Sequence, residues 1–379
     1  MSDTNRTVNV LSPPARNGHR PPANPGASAD VVLAIVAADA TEREVRMLVE
    51  GLRTRDIEAS AYDTGPGVVM FEGLPADEVA ALLADEPAVE RLIMADTRYR
   101  LVRRDVQPEG SQVWIGGVPF GRDYVSIMAG PCAVESREQL LTIARACRAH
   151  GAAVLRGGAF KPRTSPYDFQ GLGMHGLELL AEAREETGMP VISEVMEPAM
   201  VERMYPYVDA FQVGARNMQN FPLLKALGDI DKPVMLKRGL SATLEEWLLA
   251  AEYILTGGNH RVLLCERGIR TFGSSTRFTL DLAAMALAKR ETHLPVIVDP
   301  SHATGNPHLV APMARAALAA GADGLMIEVH NAPGQARSDG DQAIRPAALG
   351  ETVAQLDALA ASMGRTLVRG PLLMGATAG

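Results

Sequence analysis

Only three cysteines occur in the 379 residues, Cys132, Cys147 and Cys265, and they lie far apart. That number and spacing exclude a disulfide framework and fit a reducing cytoplasm. No apolar run approaches the length of a membrane span, and no signal-peptide pattern opens the chain. A soluble, cytoplasmic protein without a membrane partner is expected. Positive charge is not in excess. The formal net charge is −8, which argues against a nucleic-acid partner held by bulk charge. CxxC and HExxH spacings are both missing, so no short local motif announces a metal. Apolar residues are plentiful, at 47% of the chain. A large core is therefore available, and the length suggests about two or three domains.

Composition and periodicity divide the chain. Residues 1–30 are rich in Pro, Asn, Arg, Gly and Ser with little apolar clustering, and a disordered tail is expected there. A mitochondrial presequence fits less well, because no amphipathic helix is visible and Pro is frequent. Residues 31–104 read as a small α+β unit. The runs 31–36, 57–62, 68–71 and 89–94 are strand candidates, the middle two joined through Gly65-Pro66-Gly67. Helical spacing covers 41–54, with Val45, Leu48, Val49 and Leu52 on one face, and 75–85. The order β-α-β-β-α-β is the split pattern of ferredoxin-like domains. This unit holds no Cys, His or Gly-rich site, so regulation or assembly is expected of it rather than catalysis. Residues 105–123 are a linker and a hairpin at 113–119 that closes the bottom of the next domain.

From residue 124 onward, apolar runs alternate with helical patterns. The runs are 125–129, 153–155, 191–195, 210–213, 234–236, 262–265, 296–298 and 324–329. Eight β-α units over about 240 residues match a (β/α)₈ TIM barrel in number and size. The α/β barrel is expected over 124–365, with a C-terminal tail at 366–379.

Barrel enzymes build their sites at the C-terminal ends of the strands. Here those ends carry Cys132, Arg156, Glu194, Arg216, Lys237, Arg267, Asp299 with His302, and Glu328 with His330. Two chemical groups separate. One is cationic: Arg156, Lys161, Arg163, Arg216, Lys237 and Arg267. Six cations at one barrel mouth repel each other unless anions fill it, which implies a substrate with several negative charges or two anionic substrates. The second group is Cys132, His302, Glu328 and a carboxylate after strand eight, Asp339 or Asp341. A thiolate, an imidazole and two carboxylates suit Mn, Fe, Co or Zn better than Mg or Ca. Taken singly, each cation is more readily a salt-bridge partner, Cys132 a small buried residue and His302 a helix-capping or core histidine.

The motifs recur in an order that resembles one family. They are GPCAVES at 130–136, LRGGAFKPRTSPYDFQG at 155–171, QVGARNMQN at 212–220, LKRG at 236–239, CERGIRTF at 265–272, DPSHATG at 299–305 and IEVH at 327–330. Together they are similar to 3-deoxy-D-arabino-heptulosonate 7-phosphate (DAHP) synthase of the type I beta group, the branch related to 3-deoxy-octulosonate 8-phosphate synthase. The small unit ahead of the barrel resembles the ferredoxin-like regulatory extension of part of that group. The resemblance implies condensation of phosphoenolpyruvate with erythrose 4-phosphate, the first step of the shikimate pathway to aromatic amino acids. By motif, Arg156, Lys161, Lys237 and Arg267 would hold phosphoenolpyruvate, with Arg216 and the Ala215 amide on its phosphate. Arg163 and Thr164 would bind the sugar phosphate. Cys132, His302, Glu328 and Asp339 match the family's metal ligands, Asp339 rather than Asp341 because the SDG run fits the family pattern. Lys161 would assist proton transfer, Glu194 would orient the attacking water, and Asp299 belongs to the catalytic set.

The resemblance further implies feedback inhibition by tyrosine or phenylalanine and a homotetramer. The chain departs from the family where Ala303-Thr304-Gly305-Asn306-Pro307 replaces a small-residue run followed by basic residues, which bears on aldose affinity. The rivals are an octulosonate 8-phosphate synthase and a catalytically dead scaffold barrel. Pro162 in KPRTS argues against the first, whose relatives carry KANRTS-like sequence. The complete cation and ligand sets argue against the second.

Overall fold

The computed structural model describes residues 9–11, 31–63, 67–163 and 165–372. The chain divides into two compact units, Met1–Pro108 and Glu109–Gly379.

The first unit runs β1 (Asn9–Leu11), β2 (Val31–Val36), α1 (Glu42–Arg53), β3 (Ala59–Asp63), β4 (Gly67–Glu72), α2 (Ala76–Leu82) and β5 (Val89–Ala95). The sheet order is β1-β5-β2-β4-β3. β2 is antiparallel to β4 and β5, and β3 is antiparallel to β4. From β2 onward this is the expected ferredoxin-like topology. Thr41 starts α1 through a capping box with Glu44. The helix then buries Leu48, Val49 and Leu52 against Val32, Ala34, Val69 and Phe71 of the sheet. β1 falls within the stretch expected to be a disordered tail. It pairs in parallel with β5, Val10 opposite Leu92, and covers an edge that would otherwise offer unpaired backbone groups. The rest of the expected tail lies outside the described residues.

The second unit opens with a hairpin, β6 (Val113–Ile115) and β7 (Val118–Phe120). Eight parallel strands follow: β8 (Tyr124–Gly130), β9 (Val154–Arg156), β10 (Val191–Val195), β11 (Ala210–Val213), β12 (Val234–Lys237), β13 (Val262–Glu266), β14 (Val296–Val298) and β15 (Gly324–Glu328). Each pairs with the next, and β15 returns to β8 with Glu328 opposite Gly130, so the sheet closes into the expected TIM barrel. The helices are α3 (Arg137–Ala149), α4 (Met174–Thr187), α5 (Ala199–Met204), α6 (Phe221–Gly228), α7 (Leu244–Leu255), α8 (Leu282–Glu291), α9 (Pro300–Thr304), α10 (Pro307–Ala319) and α11 (Pro346–Ser362). Among the described residues, no helix is long and apolar enough to cross a membrane.

Alternation along the strands fills the barrel. Met128, Val154, Ile192, Ala210, Met235, Leu263, Ile297 and Met326 form one cluster with Val113, Ile115, Val118 and Phe120 of the hairpin. The hairpin thus seals the floor, and Ser126 Oγ donates to the Pro119 carbonyl at 2.6 Å. The expected tail at 366–379 begins instead with a strand, β16 (Thr366–Val368), parallel to the first half of β8. Its Val368 joins the floor cluster, so burial of an apolar residue outweighs chain-end entropy there. Among the described residues, the floor is sealed and a cavity opens at the opposite end of the barrel. Phe120→Ala should cost about 3–5 kcal/mol of stability by removing a buried ring from this floor. Denaturant or thermal unfolding measures that loss.

Candidate active site

At the open end, a cavity of about 220 Å³ is lined by Arg156, Lys161, Pro162, Arg163, Asp168, Glu194, Gln212, Gly214, Ala215, Arg216, Lys237, Leu240, Arg267, Arg277, Phe278, His302 and Asp339. Every cation singled out in the sequence reaches it. Arg156 ends β9, and its Nη1 donates to the Pro131 carbonyl at 2.8 Å. Lys237 ends β12, and its Nζ lies 2.6 Å from Asp299 Oδ2. Arg267 follows β13 and stacks over Phe278 with its Cζ 4.4 Å from the ring centroid. Ala215 and Arg216 sit in a 3₁₀ turn, Ala215–Asn217, after β11. Arg163 Nε donates to the Phe169 carbonyl at 3.1 Å, which anchors the loop after β9. Thr164 lies outside the described residues.

Glu194 is the penultimate residue of β10 and accepts from Gln212 Nε2 at 3.1 Å. Gly214 makes room for it: a Cβ there would lie 2.0 Å from Glu194 Oε1. Asp299 is fully buried and stands behind the cavity wall rather than on it. Its Oδ1 accepts the His302 amide at 2.9 Å. Its Oδ2 approaches His302 Nδ1 at 2.8 Å, although the alignment is not that of a hydrogen bond.

The second group also converges. Donor atoms of Cys132, His302 and Glu328 all lie within 4.8 Å of one another. Asp339 joins through Cys132, whose Sγ donates to Asp339 Oδ2 at 3.1 Å. Asp341 is exposed, so of the two carboxylates left open by spacing, only Asp339 meets the cluster. Lys161 connects the two groups, its Nζ donating to Cys132 Sγ at 3.0 Å and to the Cys132 carbonyl at 3.1 Å.

The donor set fits a divalent transition metal. Burial pushes the His302 pKa down to about 3 against the pull of Asp299, so its imidazole is neutral and can ligate. Its Nε2 faces Glu328 Oε2 at 3.4 Å. Burial pushes Glu328 up to about 7 and raises the Cys132 thiol. Both are groups whose charged forms need a cation to settle at the site. Gln342 Nε2 donates to Glu328 Oε2 at 2.7 Å and fixes that carboxylate.

Sequence reasoning missed Arg277, Gln342 and the buried pair Arg238–Glu266. Arg277 Nη1 reaches Asp339 Oδ1 at 3.0 Å and Gln342 Oε1 at 2.7 Å. It lies eleven residues beyond the end of β13, outside any strand-end motif. The only local signal was a hydroxyl-and-basic run, Ser274-Ser275-Thr276-Arg277.

A family model described as the DAHP synthetase I family matches residues 103–363. A phospho-2-dehydro-3-deoxyheptonate aldolase of Thermotoga maritima is 42% identical over 336 residues, spanning 88% of this chain and 99% of that protein. A 2-dehydro-3-deoxyphosphooctonate aldolase of Bradyrhizobium diazoefficiens is 35% identical over 249 residues, 60% of this chain and 87% of that one. Among solved structures, the Thermotoga maritima DAHP synthase superposes with a TM-score of 0.71 at 40% identity, covering 89% of this chain and 99% of that one. A truncated form of 3-deoxy-D-arabino-heptulosonate 7-phosphate synthase from the same organism gives 0.66 at 44% identity, covering 70% and 98%.

The three thiols should separate by chemistry. Cys147 and Cys265 are fully buried, and burial pushes both thiols up to about 12. In native protein at pH 8, iodoacetamide should leave both unmodified and react first at Cys132, and added zinc should suppress that reaction. Peptide mass mapping checks the order.

Proposed function

The chain belongs to the DAHP synthetase I family, and on that premise we propose that its barrel mouth condenses phosphoenolpyruvate with erythrose 4-phosphate. The products are DAHP and phosphate, and the activity is a metal-dependent 3-deoxy-7-phosphoheptulonate synthase at the entry to the shikimate pathway. The observation that carries this reading is the cavity itself, a cationic wall set directly beside a sulfur, nitrogen and oxygen donor cluster. Two anionic substrates, one with an aldehyde, match those two halves.

Arg156, Lys237 and Arg267 hold the carboxylate and phosphate of phosphoenolpyruvate, with Arg216 and the Ala215 amide at the phosphate. Arg163 and Thr164 take the sugar phosphate. Cys132, His302, Glu328 and Asp339 would hold the metal, which when bound supplies Lewis-acid polarisation of the aldehyde. The enol methylene carbon bonds to that carbonyl carbon, and the new alkoxide takes a proton. Lys161 is the donor, because its Nζ sits between the cation wall and Cys132. Water held by Glu194 then adds to the central carbon, left electron-poor by the new bond, and passes one proton to Glu194; phosphate leaves with cleavage of the carbon–oxygen bond and takes the other proton as the ketone forms. Cationic donors aimed at the phosphate stabilise the negative charge that the leaving group carries away. Asp299 touches neither substrate in this account. It is a positioning residue for Lys237 and His302.

The same reading places the enzyme in the cytoplasm as a homotetramer, with the ferredoxin-like unit as the seat of feedback control. Support for the heptulosonate over the octulosonate product comes from Pro162 and from the relative named a heptonate aldolase, whose similarity extends through the small unit as well as the barrel.

The purified protein should release phosphate from phosphoenolpyruvate when erythrose 4-phosphate is added, and much more slowly with arabinose 5-phosphate. Exhaustive chelation should abolish turnover, and Mn, Fe, Co or Zn should restore it. Faster turnover with the pentose would sink the assignment. Lys161→Met should lower kcat by about 10²–10⁴-fold in the same assay. Tyrosine or phenylalanine should inhibit the full chain, and deletion of residues 1–104 should keep activity but remove that inhibition. Inhibition that survives the deletion places the effector site elsewhere.

A further inference from the structure

Arg238 and Glu266 form a buried ion pair in a layer where apolar residues are expected. Along β12 and β13, Met235 and Leu263 point into the barrel. Period-2 alternation carries that inward row on to Lys237 and Arg267 at the cavity. Arg238 and Glu266 therefore point the other way, in the outward row begun by Leu236 and Leu264. Both side chains are almost wholly shielded, at 6% and 0% exposed, and Arg238 Nη1 donates to Glu266 Oε2 at 2.8 Å.

A pair buried this way is weak evidence for stability, since an apolar pair of similar volume serves as well or better. Its contacts point to another use. Glu266 Oε1 accepts the Gly268 amide at 2.6 Å, so the carboxylate spans Arg267 and pins the backbone on both sides of it. Arg238 Nε donates to the Ala242 carbonyl at 3.0 Å, and the Arg238 amide donates to the Cys265 carbonyl at 2.9 Å. Arg238 Nη1 also reaches Asp281 Oδ2 at 3.2 Å. Asp281 caps α8 through Ala284, so the far end of the loop after Arg267 is tied to the same guanidinium.

We propose that the Arg238–Glu266 pair, with Asp281, is a positioning brace that orients Lys237 and Arg267 and thereby sets affinity for the phosphorylated, carboxylated substrate. This rests on the assignment of phosphoenolpyruvate to that wall. Rigid support of this kind decides whether donors meet a ligand, and a displacement of about 1 Å costs on the order of 10²-fold. Lysine cannot replace Arg238, because only the guanidinium fork reaches Glu266, Asp281 and the Ala242 carbonyl together.

The test compares the metal-loaded parent with R238M/E266M and E266Q. Calorimetry gives the phosphoenolpyruvate Kd, steady-state assays give KM and kcat for both substrates, and thermal unfolding gives Tm. The double variant should keep a Tm close to the parent's while binding phosphoenolpyruvate about 10-fold or more weakly. Its KM for phosphoenolpyruvate should rise by the same factor, with the KM for erythrose 4-phosphate little changed. Glu266→Gln keeps an acceptor for the Gly268 amide but loses the charge facing Arg238, and should weaken binding about 3-fold or more. Parent-like affinity in a folded double variant overturns the inference. If that variant does not fold, parent-like affinity in E266Q overturns it, and weakened affinity there supports it. A parent protein that binds no phosphoenolpyruvate overturns the proposed function instead, and the brace falls with it.

Discussion

Asp299 is the point at which the two halves of the site meet. Its carboxylate is fully buried, yet it faces Lys237 Nζ at 2.6 Å and His302 Nδ1 at 2.8 Å. Burial alone would push its pKa up. His302 and Lys237 outweigh burial and hold it well below the ordinary carboxylate range. Lys237 belongs to the cation wall and His302 to the donor cluster, so one negative charge sets the position of both. A buried pair broken on one side typically costs about 3–5 kcal/mol. Here the loss would also release a lysine and an imidazole from their stations. The Asp299 amide donates to the Glu266 carbonyl at 2.8 Å, so the same residue is stitched into the end of β13 lying between β12 and β14.

The charge balance of the cavity follows from how its cations are satisfied. Seven cationic side chains line it, Arg156, Lys161, Arg163, Arg216, Lys237, Arg267 and Arg277, against three carboxylates, Asp168, Glu194 and Asp339. Arg156, Lys161 and Arg267 direct donors to backbone carbonyls at Pro131, Cys132 and Gly268. A carbonyl satisfies a hydrogen bond but cancels no charge. The wall therefore keeps its positive field inside a protein with net charge −8. Anions are drawn to a cavity whose cationic lining opposes that net charge. In the donor cluster beside it, burial keeps His302 neutral and raises the Cys132 thiol, while Asp339 stays ionised and paired with Arg277. The site thus separates into an anion-binding half and a half that awaits a cation.

Much of this was legible in the sequence. Eight apolar runs at regular intervals marked the strands, because a buried parallel strand has little choice but to be apolar on both faces. Residues just past each run fell at one end of one barrel by topology alone. That is why Arg156, Lys237, Arg267, Cys132, His302 and Glu328 could be assembled without coordinates. Arg277 and Gln342 were not legible, since they arrive from loops whose path depends on tertiary contacts. The Arg277 amide pairs with the Thr304 carbonyl, and Phe278 with Ala303, clamping that loop onto the helix that carries His302. No periodicity encodes such a contact. The short strands at Asn9–Leu11 and Thr366–Val368 were missed for a related reason. Neither stands in the alternation of apolar runs and helices that marked the barrel strands, and each pairs where a neighbouring strand leaves an edge.

Adjacent charges at a strand end are two features, not one. In LKRG and CERG two charged residues stand side by side in sequence. A strand turns successive side chains to opposite faces, so Lys237 and Arg267 face the cavity while Arg238 and Glu266 face the helices. The inward member can touch a ligand and the outward one cannot. The outward member still has a function where the strand ends, because the ladder hydrogen bonds that hold the backbone stop there. Glu266 replaces them with a side-chain acceptor for the Gly268 amide. That bond spans Arg267 and joins the strand end to the Ile269–Thr279 bridge beyond it. In a barrel whose chemistry sits on strand ends, such outward charges extend the rigid scaffold to the side chains that bind.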